Sequence, residues 1–331
     1  MIRDMMPAFE LFQPRTVDEA VALLSRYGKD GWALAGGLDS LDWFKDRVKR
    51  PKAVVDLGGI DEMRGIRSGP GGLEIGALTT LTEVETHPEV RARFPVLAQA
   101  AAQVASPQIR NQGTIGGNVC QDSRCWYYRG GFPCYRAGGN TCYADTPTAM
   151  NQEHCIFGAN RCITVNCSDT APALVALDAR MVIVGPRGRR EVAAEDFFIG
   201  PAVDITRMTI LQPGDVLTTI KVPSTWAGTR MYFEKVRHRQ SWDFPIVNVA
   251  AAAVVSNGRI ERIRLVVNGV APTPMRLTNV EEEVVGNPPN ERTAEMAGEL
   301  AVWGARPVNY NGYKVILMKN LVKRAIRGLA S

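Results

Sequence analysis

Apolar residues return every three to four positions after Thr16, at Val17, Ala20, Val21, Leu23 and Leu24, with Glu19 three residues past the threonine. A T-x-x-E start and a glycine at position 28 predict a helix between them. A short apolar run over residues 32–35 is cut by Gly36-Gly37, and a second helical stretch follows through Leu41 and Phe44. Residues 53–57 and 73–78 read as buried strands, and Thr80 with Glu83 opens another capped helix. Residues 96–104 continue as helix, and SPQIRNQGTIGGN then opens a second glycine-rich loop. Beyond position 167 a helix is expected over 168–177 and strands over 181–184 and 215–222. From about Met231 the pattern changes. Residues 244–255 and 260–267, joined by Ser256-Asn257-Gly258, predict a hairpin, and helices near 293–303 and 312–326 follow.

At 331 residues the chain exceeds what one core usually fills. The expected organisation is a first α/β unit over 1–60, a second over 61–225, and a C-terminal unit over 226–331. Composition adds little: 45% hydrophobic, 22% charged and a net charge of +5 describe a globular chain with no nucleic-acid footprint. No apolar stretch is long enough to span a membrane and no export-type leader stands at the N-terminus, so a cytoplasmic location is expected.

The cysteines change the picture. All seven fall between Cys120 and Cys167, in a Gly-rich stretch with little periodicity. In a reducing compartment such a concentration reads as metal ligands rather than disulfides, and an odd count agrees. Two glycine turns precede it. In Leu34-Ala35-Gly36-Gly37-Leu38-Asp39-Ser40 a strand gives way to a helix at residues without Cβ atoms. The backbone can approach a ligand there, and Ser40 adds a hydroxyl. Thr114-Ile115-Gly116-Gly117-Asn118 repeats the device with Thr114 and Asn118 as side-chain donors. Together they suit a long dinucleotide, although neither G-x-G-x-x-G nor a P-loop is present. No paired acid and base and no nucleophile triad stands out, so no catalytic residue is assigned.

LAGGLDS, SPQIRNQGTIGGN, CSDTAPALVALDA and YFEKVRHRQSWDFPIVNVAAA, in this order, resemble the FAD-binding medium subunit of molybdenum hydroxylases, the xanthine dehydrogenase and carbon monoxide dehydrogenase group. The resemblance runs from about Phe9 onward. It departs from the family's AGGTDLL, with Leu38 in place of Thr and Ser40 in place of Leu. It implies an α+β chain: a vanillyl-alcohol-oxidase/PCMH-like FAD-binding fold of two α/β subdomains, then a C-terminal α+β domain with an antiparallel sheet and helices. It further implies that residues 34–40 wrap the FAD pyrophosphate and 114–118 hold the ribityl-phosphate region. Asp169 would meet the polyol or ribose, unless it only caps the helix after it, and Leu217 and Lys235 would lie near the flavin.

Most of the family passes from the GGN loop to the SD helix in a few residues, whereas here residues 119–167 intervene. A subgroup, including 4-hydroxybenzoyl-CoA reductase and a bacterial aldehyde oxidoreductase, holds a [4Fe-4S] cluster on such an insertion. By that likeness Cys125, Cys134, Cys142 and Cys162 are the ligands, with Cys155 the rival to Cys162. Cys120, Cys155 and Cys167 are read as small buried residues, and a Cys/His zinc site using His154 is the other metal reading. The implied role is electron transfer between a large molybdopterin subunit with its small [2Fe-2S] partner and an external donor or acceptor (ferredoxin, NAD or a quinone-linked carrier). A stand-alone FAD oxidase with a structural zinc is the alternative.

Overall fold

The computed structural model describes residues 6–330, and two of its helices begin at the threonines that marked them in the sequence. Thr16 caps Val17–Tyr27 by accepting from the Glu19 amide at 3.2 Å, while the Glu19 carboxylate reaches the Arg15 amide at 2.9 Å. At Leu81–Thr86 the capping box of Thr80 and Glu83 is complete.

The first sheet has three parallel strands in the order Glu10–Phe12, Ala53–Asp56, Gly31–Leu34. Its central strand is buried on both faces, as parallel sheets require. Val55 joins the main core with Val17, Ala20 and Leu24 of the first helix. Val54 turns the other way, onto Trp43, Phe44, Tyr128 and Cys134. The cysteine-bearing insertion thus covers one face of this sheet.

The second sheet has five antiparallel strands, ordered Ile66–Gly69, Gly72–Gly76, Val216–Pro223, Arg180–Gly185, Gly188–Ala193. The third has four antiparallel strands, ordered Met275–Arg276, Arg259–Asn268, Val247–Ser256, Arg230–Val236. Its expected hairpin closes on Asn257 and Gly258, both with positive φ (50° and 73°), as a two-residue turn demands. Along Val247–Ser256 alternate residues serve two cores. Ala250 and Ala252 pack into the main one, and Val249, Ala251 and Ala253 face the helices Glu291–Ala301 and Tyr313–Gly328. That double burial is why residues 249–255 of the strand read as an unbroken apolar run. Mixed helix and sheet, with an antiparallel C-terminal sheet, is the expected class. Among the described residues no helix is long and apolar enough to cross a membrane.

Candidate functional site

A cavity of about 470 Å³ opens between the first two sheets, within the range of small-molecule sites. Its walls include both glycine turns: Ala35, Gly36, Gly37, Leu38, Asp39 and Ser40 on one side, Thr114, Gly116, Gly117 and Asn118 on the other, with Leu217 behind. The turns are locked together. Gln112 Nε2 donates to the Gly36 carbonyl at 2.8 Å, and a Cβ on Gly36 would stand 2.4 Å from the Gln112 carbonyl oxygen. Gly116 meets the Ala77 carbonyl in the same way, at 2.7 Å. Gly37 holds φ at 78°, which favours glycine.

The hydroxyls expected to face a ligand have internal partners. Thr114 caps Ile115–Cys120, its Oγ1 accepting from the Gly117 amide at 3.0 Å. Ser40 Oγ accepts from Trp32 Nε1 at 2.9 Å. Asn118 Oδ1 accepts from the hydroxyls of Ser168 and Thr170, each at 2.6 Å, so its oxygen tethers the helix Thr170–Ala176. Leu34 and Ile115 do not reach the cavity wall; Ile115 is fully buried in the main core and Leu34 packs beneath Trp43 and Phe44.

Asp169 and Lys235 are off the wall as well, and bond each other. Lys235 Nζ donates to Asp169 Oδ2 at 2.6 Å and to the Gln103 carbonyl at 2.9 Å; Asn248 Nδ2 donates to Oδ1 at 3.0 Å. Burial pushes the carboxyl up from its usual range, against the pull of the lysine, and burial draws the lysine down. Asp169 opens its helix but makes no capping bond with its side chain; Ser168 Oγ does so, accepting from Ala171. The reading of Asp169 as a cap is therefore corrected: a carboxylate engaged by Lys235 and Asn248 has no oxygen turned to the helix amides.

Sequence reasoning missed part of this cavity. Trp242 and Phe244 line its mouth from the third sheet's loop, and Arg124 and Asp122 from the insertion. Trp242 carries φ of 71° and is 57% exposed, an uncommon conformation for a bulky residue. Only the tertiary fold brings these four to one rim.

The rim leads directly into the insertion. Arg124 and Arg129 both ion-pair with Asp39 Oδ1, at 2.9 and 2.5 Å, and the Arg129 guanidinium lies 3.7 Å from the Trp43 ring centre. Arg124 also stacks over Phe244 at 4.3 Å. Arg136, 4% exposed, bonds Asp122 and the Ile205 carbonyl.

Beyond the rim Cys125, Cys134, Cys142 and Cys162 line one small chamber with Tyr127, Tyr128, Tyr135, Tyr143, Arg136 and Arg161. Backbone amides point at the sulfurs: Tyr127 and Tyr128 at Cys125, Thr164 at Cys162, and Ala144, Asp145 and Ile163 at Cys142. Burial nevertheless pushes the thiols of Cys125, Cys142 and Cys162 up, Cys125 to about 11. The chamber is closed to about 10 Å³. Among the described residues no three Cys, His, Asp or Glu side chains are placed to hold a metal ion. Cys155 stays outside the chamber, packed with Ala144 and Ile163. Cys120 lines the large cavity and Cys167 is buried. His154 Nε2 lies 3.2 Å from Cys125 Sγ.

Residues 7–225 match the FAD binding domain in molybdopterin dehydrogenase, and residues 231–329 match the CO dehydrogenase flavoprotein C-terminal domain. The large cavity and its glycine turns lie within the first match, so the chain is a flavoprotein that binds FAD. It is 33% identical over 325 residues to the carbon monoxide dehydrogenase medium chain of Hydrogenophaga pseudoflava, covering 97% of this chain and 96% of that one. The aldehyde oxidoreductase FAD-binding subunit PaoB of Escherichia coli (strain K12) is 31% identical over 318 residues, 95% and 96% of the two chains. A solved carbon monoxide dehydrogenase from Hydrogenophaga pseudoflava superposes with a TM-score of 0.78 at 31% identity, covering 98% of each chain. The chain belongs to the FAD-binding subunits of the molybdopterin dehydrogenase family of oxidoreductases.

Proposed function

We propose that this chain is the electron-relay subunit of a molybdenum hydroxylase, with FAD in the large cavity and a [4Fe-4S] cluster on the inserted loop. FAD supplies two-electron redox chemistry that can be discharged one electron at a time, and the cluster supplies single-electron steps. The partners in this reading are a large subunit with the molybdenum cofactor, a small [2Fe-2S] subunit, and an external donor or acceptor.

The observation that carries the cluster is the convergence of four thiols from a 38-residue span, Cys125 to Cys162, on one chamber. The number suits a cubane, amide N–H groups favour the thiolate forms, and Arg136 and Arg161 offset the added negative charge. A single zinc ion would draw its ligands to about 2.3 Å from one centre, whereas a cubane takes one thiolate per iron and so uses all four chamber cysteines. A cubane spans more widely, and seating it parts the side chains that now close the chamber. The protein's own work is positional. The glycine turns and Leu217 shape the flavin cavity, the Asp169–Lys235 pair braces it from behind, and Arg124 and Arg129 tie it to the cysteine loop.

The test is metal and flavin content of the purified complex. About four irons per chain, with flavin and broad iron–sulfur absorption together, are expected. Zinc without iron, or yellow protein without either, overturns the cluster. Cys162→Ser should lose the cluster and Cys155→Ser keep it; the reverse would move the fourth ligand to Cys155.

A further inference from the structure

His154 is the only histidine placed against the cysteine chamber among the described residues. Its side chain is 4% exposed, Nε2 stands 3.2 Å from Cys125 Sγ, and Nδ1 is buried without a partner. A neutral imidazole carries one proton. Placed on Nδ1 it would be a buried donor with nothing to bond, a full desolvation loss. Placed on Nε2 it points at the sulfur, and Nδ1 keeps only a bare lone pair. The ring's position is set by its main chain. The His154 amide donates to the Asn151 carbonyl at 3.1 Å, and its carbonyl accepts from Asn311 Nδ2 at 3.0 Å and Lys314 Nζ at 3.1 Å. Lys314, fully buried, also holds the carbonyls of Glu153 and Gly269. This corner of the loop is clamped by the C-terminal helix.

We infer that His154 donates a hydrogen bond to the Cys125 thiolate and thereby sets the reduction potential of the cluster, an inference that rests on the cluster reading above. Each electron the cluster accepts adds negative charge shared by its thiolates. A fixed N–H donor on one of them stabilises the reduced form more than the oxidised form, and raises the potential. His154 touches a ligand rather than a reacting atom, so it is a positioning and tuning residue.

The experiment is EPR-monitored redox titration of the intact complex carrying wild-type, His154→Leu and His154→Gln chains, with iron and FAD counted in each. His154→Leu should keep its irons and show a cluster midpoint shifted to lower potential, with the flavin midpoint unmoved. His154→Gln, which restores an N–H donor, should return toward wild type. An unmoved cluster midpoint in His154→Leu with iron retained would overturn the inference. So would loss of iron from both variants with FAD still bound, which makes His154 a ligand or a scaffold of the site. Absence of iron from the wild-type complex would instead remove the cluster itself, and the inference with it.

Discussion

Replacing Lys235 by methionine leaves a buried carboxylate without its cation. The lysine side chain is 0% exposed and that of Asp169 3%, and their contact is 2.6 Å. Methionine keeps the apolar stem, so little packing is lost; what disappears is the charge and the bond to the Gln103 carbonyl. Breaking one side of such a pair costs about 3–5 kcal/mol, a large share of the roughly 5–15 kcal/mol that holds a typical domain folded. Arg237, also bonded to the Gln103 carbonyl at 3.0 Å, supplies residual positive charge and sets the expectation near the lower figure. The sign of the pH dependence follows from burial, which already raises the Asp169 carboxyl with Lys235 present. Without the lysine it rises further, so between the unfolded value and that raised value the folded state holds the extra proton. Stability of the variant must therefore increase as pH falls through this window. Adding Asp169→Asn removes the stranded charge and should recover most of the loss. Urea unfolding followed by tryptophan fluorescence across a pH series measures all three. A deficit under about 1 kcal/mol, below the range for a broken buried pair, or one that does not shrink toward acid, would refute the reasoning.

Gly36→Ala drives a Cβ against the Gln112 carbonyl, 2.4 Å away, and separates the two glycine turns. FAD affinity of the apoprotein, measured by flavin fluorescence titration, should fall about tenfold or more, equivalent to about 1.4 kcal/mol. Arg129→Met removes an ion pair to Asp39 and the bond to the Ser123 carbonyl. A loss of about 1.5–3 kcal/mol is expected from charged hydrogen bonds, read as a lower thermal midpoint together with weaker FAD binding. An unchanged FAD titration would show that the insertion and the flavin turn are independent.

Local signals carried the parts of the fold that depend on neighbours in sequence. Thr16 and Thr80 mark helix starts, Asn257-Gly258 marks the hairpin, and Gly36 and Gly116 mark the turns that meet across the cavity. The strand Arg230–Val236 was not legible, because as an edge strand it is half-buried at every position and never alternates. The helix Thr278–Val284 is only 7 residues with three consecutive glutamates, and its Glu281 is buried to meet Arg276 and the Leu265 amide. At the site, residue types were readable but their partners were not. Asp169 and Lys235 lie 66 positions apart, and Asp39 and Arg129 lie 90. Hydroxyls that suit a ligand in a linear reading, Thr114 and Ser40, also accept from a helix amide and an indole, bonds that use the oxygens and not the O–H groups.

The clamp of Lys314 and Asn311 on Glu153, His154 and Cys155 bridges segments some 156–161 positions apart. Contacts of such separation form late, because a long stretch of chain must be ordered before they return any stabilisation. The sheet that walls the flavin cavity is closed over a similar distance, since Gly72–Gly76 pairs with Val216–Pro223, so clamp and sheet carry a comparable loop-closure cost. A cluster of the kind proposed above would be seated most readily before this clamp closes over the loop.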